Sequence, residues 1–361
     1  MSINFSPLFI VGCARSGTTL LETMLNKHPE ICINHESHFI IDLMRRYIFG
    51  RKYRGKNSLS DFVNDLLSHE RYSLWQDKHK INRNEFSYYR GKSVPEIYEA
   101  VFSRYAHGEN KSMWGDKTPK YVNFVVFLSE IFPESRFVHI IRDGRDVALS
   151  AIERKWGPGN LWQSAHYWKI QTTLGIVAGR WLKFTGQQNR YLEIKYEDLL
   201  NNTEAILRNI CAFLDVNYHD SMLTDYESSA KHIPEIYSQL HSKVKERPDT
   251  SRINKWKNAM SRNELVRFEK ITGPLLTALN YETITQHDPA QYSEKYLSML
   301  FQRARPYKNA AYKASTNRMK IKWSWIEKSI DYCLGNYESW ILHDLHYQSL
   351  ISYYTKNLVL F

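Results

Sequence analysis

The chain has 361 residues, with 49 Lys and Arg against 38 Asp and Glu, a formal net charge of +11. With 43% apolar and 14% aromatic residues, and only 15 Gly and 11 Pro, it is neither a disordered chain nor a collagen-like or Gly/Ser-rich one. No stretch approaches the ~20 apolar residues of a membrane span, and the surplus of positive charge points either to a solvated surface or to a polyanionic partner.

The first apolar run, Leu8-Phe9-Ile10-Val11, begins almost at once. No signal peptide or anchor is expected before it, and the four cysteines (Cys13, Cys32, Cys211, Cys333) show no CxxC or metal-ligand spacing. The expectation is a reducing, cytoplasmic compartment and no metal. Gly12 ends the run, and Leu20, Leu21, Met24 and Leu25 then recur at helical spacing until Pro29. Ile31-Cys32-Ile33 reads as a second strand leading into Asn34-His35-Glu36-Ser37-His38. Residues 42–112 are mostly helical and polar, an insertion with basic turns. Residues 124–132 read as a buried helix. Phe137-Val138-His139-Ile140-Ile141 is the strongest strand, followed by a helix from Val147. A Trp-rich helix spans 161–183, a strand 191–195, and amphipathic helices 203–214 and 263–279.

Strands alternating with helices predict an α/β fold with a central, mostly parallel sheet flanked by helices. Ligands of such sheets sit beyond the carboxyl ends of the strands. The loops at 12–19, 34–38, 142–146 and 196–198 should therefore meet. The stretch 286–361 holds no strand-loop-helix unit and is rich in aromatic residues. Between Arg303 and Lys328 its basic residues face one acid, Glu327.

Gly12-Cys13-Ala14-Arg15-Ser16-Gly17-Thr18-Thr19 follows a strand and opens a helix, where backbone N–H groups lack internal partners and favour an anion. Arg15 supplies charge; Ser16, Thr18 and Thr19 supply hydroxyls. Gly12 and Gly17 have P-loop spacing, but Thr18 stands where a P-loop has its Lys, and no carboxylate-ended strand offers to hold Mg²⁺. A nucleotide triphosphatase is disfavoured. The segment from Phe9 to Leu20 resembles the 5′-phosphosulfate loop of sulfotransferases that use 3′-phosphoadenosine 5′-phosphosulfate (PAPS), most of all tyrosylprotein and bacterial ones. The resemblance implies a three-layer, P-loop-like fold, PAPS as cosubstrate with its desulfated form PAP as product, no metal, and residues 15–19 around the donor's 5′ end. It covers roughly 5–285, a sulfotransferase domain of 1–285, and leaves out 42–112 and the 286–361 extension.

Arg142, leaving the strand at 137–141, and Ser150, on the helix after it, have the chemistry of a phosphate clamp. The resemblance assigns them to the donor's 3′-phosphate, with Arg154 a further donor contact. An ion pair of Arg142 with Asp146 is the structural alternative. By the same resemblance Tyr196 lies beside the nucleotide. Ser251-Arg252-Ile253-Asn254-Lys255-Trp256 is similar to a segment that closes over it, with Lys255 as a nucleotide contact and Ser242 as a loosely matched one.

Sulfuryl transfer needs a base for the acceptor hydroxyl and cations for the charge on the leaving phosphate, roughly in line. Glu36 is the base candidate: tyrosylprotein and heparan-sulfate sulfotransferases place a catalytic Glu here, and Glu36-Ser37-His38-Phe39 resembles the second form, with His38 toward the acceptor. A capping carboxylate is the alternative, and His35 is a rival base. Lys117, in a turn before Pro119 and expected to be oriented by Asp116, is the candidate cation for the transferred group together with Arg15, as its resemblance to the Lys-x-Pro context of tyrosylprotein sulfotransferases implies. A solvated turn Lys is the alternative.

The acceptor is a hydroxyl compound of unnamed class. The expected lack of an anchor argues against a Golgi-resident tyrosylprotein enzyme, and the Glu-x-His-Phe stretch leans toward a carbohydrate hydroxyl, so a carbohydrate, lipid or small molecule is the expectation. A tyrosyl peptide is the alternative, and a non-catalytic nucleotide- or polyanion-binding protein another; nucleic acid is not expected, for want of a recognition motif. Arg45, Arg46, Arg51, Lys52 and Arg54 read as a solvated face or as contacts to an anionic acceptor. The region 303–328 either touches a membrane surface or packs on the core, the second being preferred.

Overall fold

The computed structural model describes residues 6–49, 58–76, 79–154, 157–224, 233 and 249–293. Ser242, Arg51, Lys52, Arg54 and the tail from 294, with its 303–328 stretch, lie outside them, as do the side chains of Arg45 and Arg46.

Five strands form the sheet: β1 (Leu8–Val11), β2 (Ile31–His35), β3 (Met113–Lys117), β4 (Arg136–Ile141) and β5 (Tyr191–Lys195), in the order β2-β3-β1-β4-β5. All four pairings are parallel. The order reverses around β1, so the crevice between the loops after β1, β3 and β4 is the expected ligand position.

Alternation along each strand sends successive side chains to opposite layers. Leu8, Ile10, Ile31, Ile33, Met113, Val138 and Ile140 pack with α1 (Thr18–Leu25), α9 (Tyr196–Asn201) and α10 (Thr203–Leu214). Phe9, Val11, Cys32, Trp114, Phe137 and Ile141 pack with α5 (Val94–Gly108), α6 (Val125–Ile131) and α8 (Leu161–Phe184). The fold is thus the three-layer α/β arrangement the sequence predicts. Between β2 and β3 the chain forms α2 (Phe39–Phe49), α3 (Ser58–Leu67), α4 (Glu70–Ser73) and α5, whose aromatic residues extend the second layer. After β4 comes α7 (Gly144–Ile152); after β5, α9 and α10; then α11 (Trp256–Ala259) and α12 (Arg262–Ala278), the last opened by a Ser261–Glu264 capping box. Among the described residues no helix is long and apolar enough to cross a membrane.

One element differs from expectation. The segment around Lys117, read as a turn, is β3, a central strand buried along its whole length. Gly, Asp and Lys are poor strand formers, so the sequence hides it; burial between β1 and β2 overrides propensity. Gly115 suits the position because a Cβ there would lie 2.6 Å from the Leu8 carbonyl oxygen.

Candidate active site

The loop after β1 turns sharply. Arg15 sits at φ +74° and Gly17, capping α1, at φ +96°. A non-glycine residue in that region costs of order 1–3 kcal/mol and persists where the surroundings demand it. Here the demand comes from the end of β4. The Arg15 Nε donates to Ser150 Oγ on α7 at 3.0 Å. Arg142, 8% exposed, donates through Nη1 to the Arg15 carbonyl at 3.2 Å and through Nη2 to the Arg252 carbonyl at 2.8 Å. Its guanidinium lies 4.4 Å from the centre of the Tyr196 ring, a cation–π contact. The same ring covers Gly17, where a Cβ would fall 2.3 Å from Tyr196 Cδ2.

The two loops expected to hold the two ends of a donor are therefore one continuous patch. Arg15, Arg142, Arg154 and Arg252 crowd together there. Burial first, then the charges of Arg154 and Arg142, push the Arg15 guanidinium down to about 10, so it stays protonated at neutral pH. Three buried donors in this patch, Ser16 Oγ, Arg142 Nε and Arg154 Nε, have no hydrogen-bond partner. Buried donors are nearly always satisfied, and like charges do not gather without a counter-charge. A ligand with several negative charges fits both facts, and residues 15–19, Arg142, Ser150, Arg154 and Tyr196 could hold it.

The segment after Asp249 is fixed against this patch. Asp146 accepts from the backbone N–H groups of Asn254 (2.9 Å) and Trp256 (3.0 Å), while its contact with Arg142 is a long 3.9 Å. Arg145, 1% exposed, is held by Asp143 at 2.7 Å and Glu269 at 3.0 Å and lies 3.5 Å over the Trp256 ring. Lys255 is exposed, and from this segment it is Arg252 that joins the guanidinium cluster. The sequence quoted Arg252 without assigning it a role; its distance of 110 residues from Arg142 conceals the contact.

The second half of the site lies at the ends of β2 and β3. Glu36 and His38 both take positive φ, +47° and +52°. The loop they form is tied to β3: the Glu36 N–H donates to the Lys117 carbonyl at 2.9 Å, and the Ser37 N–H to Asp116 Oδ2 at 3.2 Å. This backbone turns the Glu36 carboxylate over the strand end, where Oε1 accepts from Lys117 Nζ at 2.9 Å. Lys117 is fully buried, and its ammonium also meets Thr19 Oγ1 at 3.2 Å and Glu22 Oε2 at 3.3 Å. Burial alone would raise the Glu36 carboxyl; the Lys117 charge, with His38 and His35, outweighs it and holds Glu36 well below the usual carboxylate range. The same carboxylates raise Lys117 against the effect of burial.

Two expectations change here. Lys117 is not a turn residue, and Asp116 does not orient it. Adjacent residues of a strand face opposite layers: Asp116 points toward the α5 and α8 layer and accepts from Asn34 Nδ2 at 3.2 Å and from Ser37. The carboxylates on Lys117 are Glu36 and Glu22. The sequence reading missed Glu22, a buried acid on the sheet-facing side of α1; its signal was an acid inside an apolar helical stripe. His35, the rival base, is 5% exposed, with Nδ1 2.9 Å from both Glu22 oxygens. Glu36 keeps 22% of its side-chain surface exposed, and His38, 3.4 Å from Glu36, keeps 28%.

Comparison with known proteins agrees with this geometry. The model of the sulfotransferase family matches residues 7–220. Protein-tyrosine sulfotransferase A of Caenorhabditis elegans is 24% identical over 76% of this chain and 67% of its own length. A putative protein-tyrosine sulfotransferase of Caenorhabditis briggsae is 24% identical over 78% of this chain and 92% of its own. The solved sulfotransferase domain from the curacin biosynthetic pathway shares the fold, with a TM-score of 0.50 at 18% identity, over 77% of this chain and 99% of that one.

Proposed function

The chain belongs to the sulfotransferase family of enzymes, and from that premise we propose that it moves a sulfuryl group from PAPS to an acceptor hydroxyl, with Glu36 as general base. The observation that carries the donor assignment is the cluster of four arginines with unpartnered Ser16 Oγ, Arg142 Nε and Arg154 Nε. Bound there, the donor supplies an activated sulfuryl group, whose bond to the 5′-phosphate breaks as the acceptor oxygen bonds to sulfur. Glu36, ionised and partly exposed, takes the hydroxyl proton and later returns it to water. Lys117 and Arg15 face the negative charge that grows on the leaving phosphate oxygen. Lys255 belongs to this reading as a nucleotide contact, with Ser242 loosely matched by sequence as another, and His38 as an acceptor contact.

The acceptor is assigned to a carbohydrate, lipid or small molecule, on the Glu36-x-His38 stretch. Phe39 of that stretch is core, fully buried and stacked on Phe102 at 5.5 Å, and Ser37 is buried too, so Glu36 and His38 are its partly exposed residues. A tyrosyl peptide is the second reading, favoured by the names of the nematode relatives. The cytoplasmic assignment rests on the scattered cysteines of the sequence, which show no CxxC or metal-ligand spacing.

Calorimetric titration with PAP and with ATP tests the donor. Tight PAP binding with no ATP binding supports the reading, and a preference for ATP sinks it. Transfer of radiolabelled sulfate from PAPS into a lysate of the source organism, fractionated into peptide, glycan and lipid, identifies the acceptor class.

A further inference from the structure

Glu22 has no part in the reaction above, yet it is a fully buried acid at the centre of the site. An ionised carboxylate under a sheet is costly unless paired, and leucine would fill a sheet-facing position of α1 more simply. Its pairing is specific. Thr19 and Glu22 stand one helical turn apart on one face of α1, and both reach Lys117 Nζ. Lys117 and His35 are register partners across β3 and β2 and share the α1 face, so His35 meets the same carboxylate from the other side.

The three ammonium hydrogens of Lys117 thus have three partners: Thr19, Glu22 and Glu36. This arrangement conflicts with the transfer chemistry. A carboxylate bonded to an ammonium is a poor proton acceptor, and an ammonium bonded to that carboxylate is turned away from the transferred group. One bond, Lys117 to Glu36, has to open: of the two carboxylates on the ammonium, Glu36 is the partly exposed one, at 22% against 1% for Glu22.

We propose that Glu22 is the positioning residue of this centre: it anchors the Lys117 ammonium from below, so that Lys117 releases Glu36 to the acceptor proton and turns to the transferred group without leaving the site. The proposal rests on the reading of Glu36 and Lys117 given above. Glu22 keeps Lys117 protonated when Glu36 is neutralised by the proton it accepts. His35, on both oxygens of Glu22, holds the anchor in its rotamer. The other titratable groups around the pair are His38, Cys13, Tyr167 from α8, Tyr105 from α5, and Asp116 on the far side of β3. Burial pushes the thiol and both phenols upward, away from the acid limb of a rate profile.

The test compares Glu22→Gln and Glu22→Asp with the wild type in four measurements: PAP affinity, kcat and KM, the pH profile of kcat/KM, and the ¹⁵N resonance of the Lys117 ammonium in the free protein. In Glu22→Gln, kcat falls roughly a hundredfold, the scale of a misplaced reacting group, while PAP affinity stays within about threefold, less than one hydrogen bond. The acid limb moves to lower pH, because Glu36 loses a like-charged neighbour and keeps Lys117 more tightly. The Lys117 resonance shifts or broadens. Glu22→Asp, which keeps the charge, is intermediate in each and serves if Glu22→Gln does not fold. Full kcat with an unmoved acid limb overturns the proposal. So does equal damage in both variants with an unchanged Lys117 resonance, which is the mark of packing alone. A wild type that binds no PAP and transfers no sulfate defeats the parent reading instead, and the resonance in the free protein still decides whether Glu22 anchors Lys117.

Discussion

Arg15 Nε and Ser150 Oγ meet at 3.0 Å, joining the turn after β1 to the helix after β4 across 135 residues of chain. Arg15 makes this bond from a backbone at φ +74°. The bond makes Arg15 common to both halves of the proposed donor site. Arg15→Ala should lower turnover about 10²- to 10³-fold, the usual effect of removing an anion-stabilising donor, and weaken PAP as well. Ser150→Ala, which removes one neutral partner, should weaken PAP far less. Titration calorimetry on both variants checks the order; an Arg15→Ala protein with unchanged PAP affinity would remove Arg15 from the site.

Glu36→Gln should abolish turnover and leave PAP binding intact, because the proposed base acts on the acceptor hydroxyl and is not among the proposed donor contacts. The variant also has a signature in stability. Burial raises the folded Glu36 carboxyl, but Lys117, His38 and His35 together outweigh it and hold it well below its ordinary value. The pair's contribution to stability is therefore fully present above the ordinary carboxylate range, about 4.3. It is lost as pH falls through the lower folded value. Thermal melts should show the wild type losing stability in that acid window and the Gln variant losing less. Near-normal turnover in Glu36→Gln would reassign the base.

Lys117→Met should destabilise the fold by ~3–5 kcal/mol, the cost of leaving a buried charge without its partner. Here Glu22 is stranded with His35 alone, and Glu36 loses its closest cation. Denaturant unfolding measures the loss. A second substitution, Glu22→Gln, removes the stranded charge and should restore part of the stability but none of the activity. Equal stability of Lys117→Met and wild type would mean that the ammonium is not held between the two carboxylates.

Gly17→Ala combines two penalties: φ +96°, and a Cβ 2.3 Å from the Tyr196 ring. The variant should lose more than ~1 kcal/mol and displace Tyr196 from Arg142, with weaker PAP binding. Adding Tyr196→Ala opens the space but leaves the backbone strain, so stability returns only in part while PAP affinity does not.

Much of this was legible in the residues. The apolar runs at 8–11, 137–141 and 191–195 and the loops after them carry the α/β fold, because a strand buried on both faces has few other ways to be written. Arg-Ser-Gly-Thr-Thr between a strand and a helix marks an anion site, because the geometry of a helix start is local. Strand β3 was not legible, since Trp114-Gly115-Asp116-Lys117 has the composition of a turn and becomes a strand only between two others.

Local pattern therefore carried what neighbouring residues decide: the elements, their order and the phosphate loop; the family resemblance added the candidates Glu36, Lys117 and Arg142 to Arg15. The pairings were decided in three dimensions. Asp116 seemed the natural partner of Lys117, one residue away, yet strand alternation puts the two on opposite faces. Glu22, 95 positions distant, took its place because α1 packs over the face that Lys117 shares with His35. Charge interactions act through space, and at the carboxyl edge of a parallel sheet the nearest charge is set by register and layer rather than by separation along the chain.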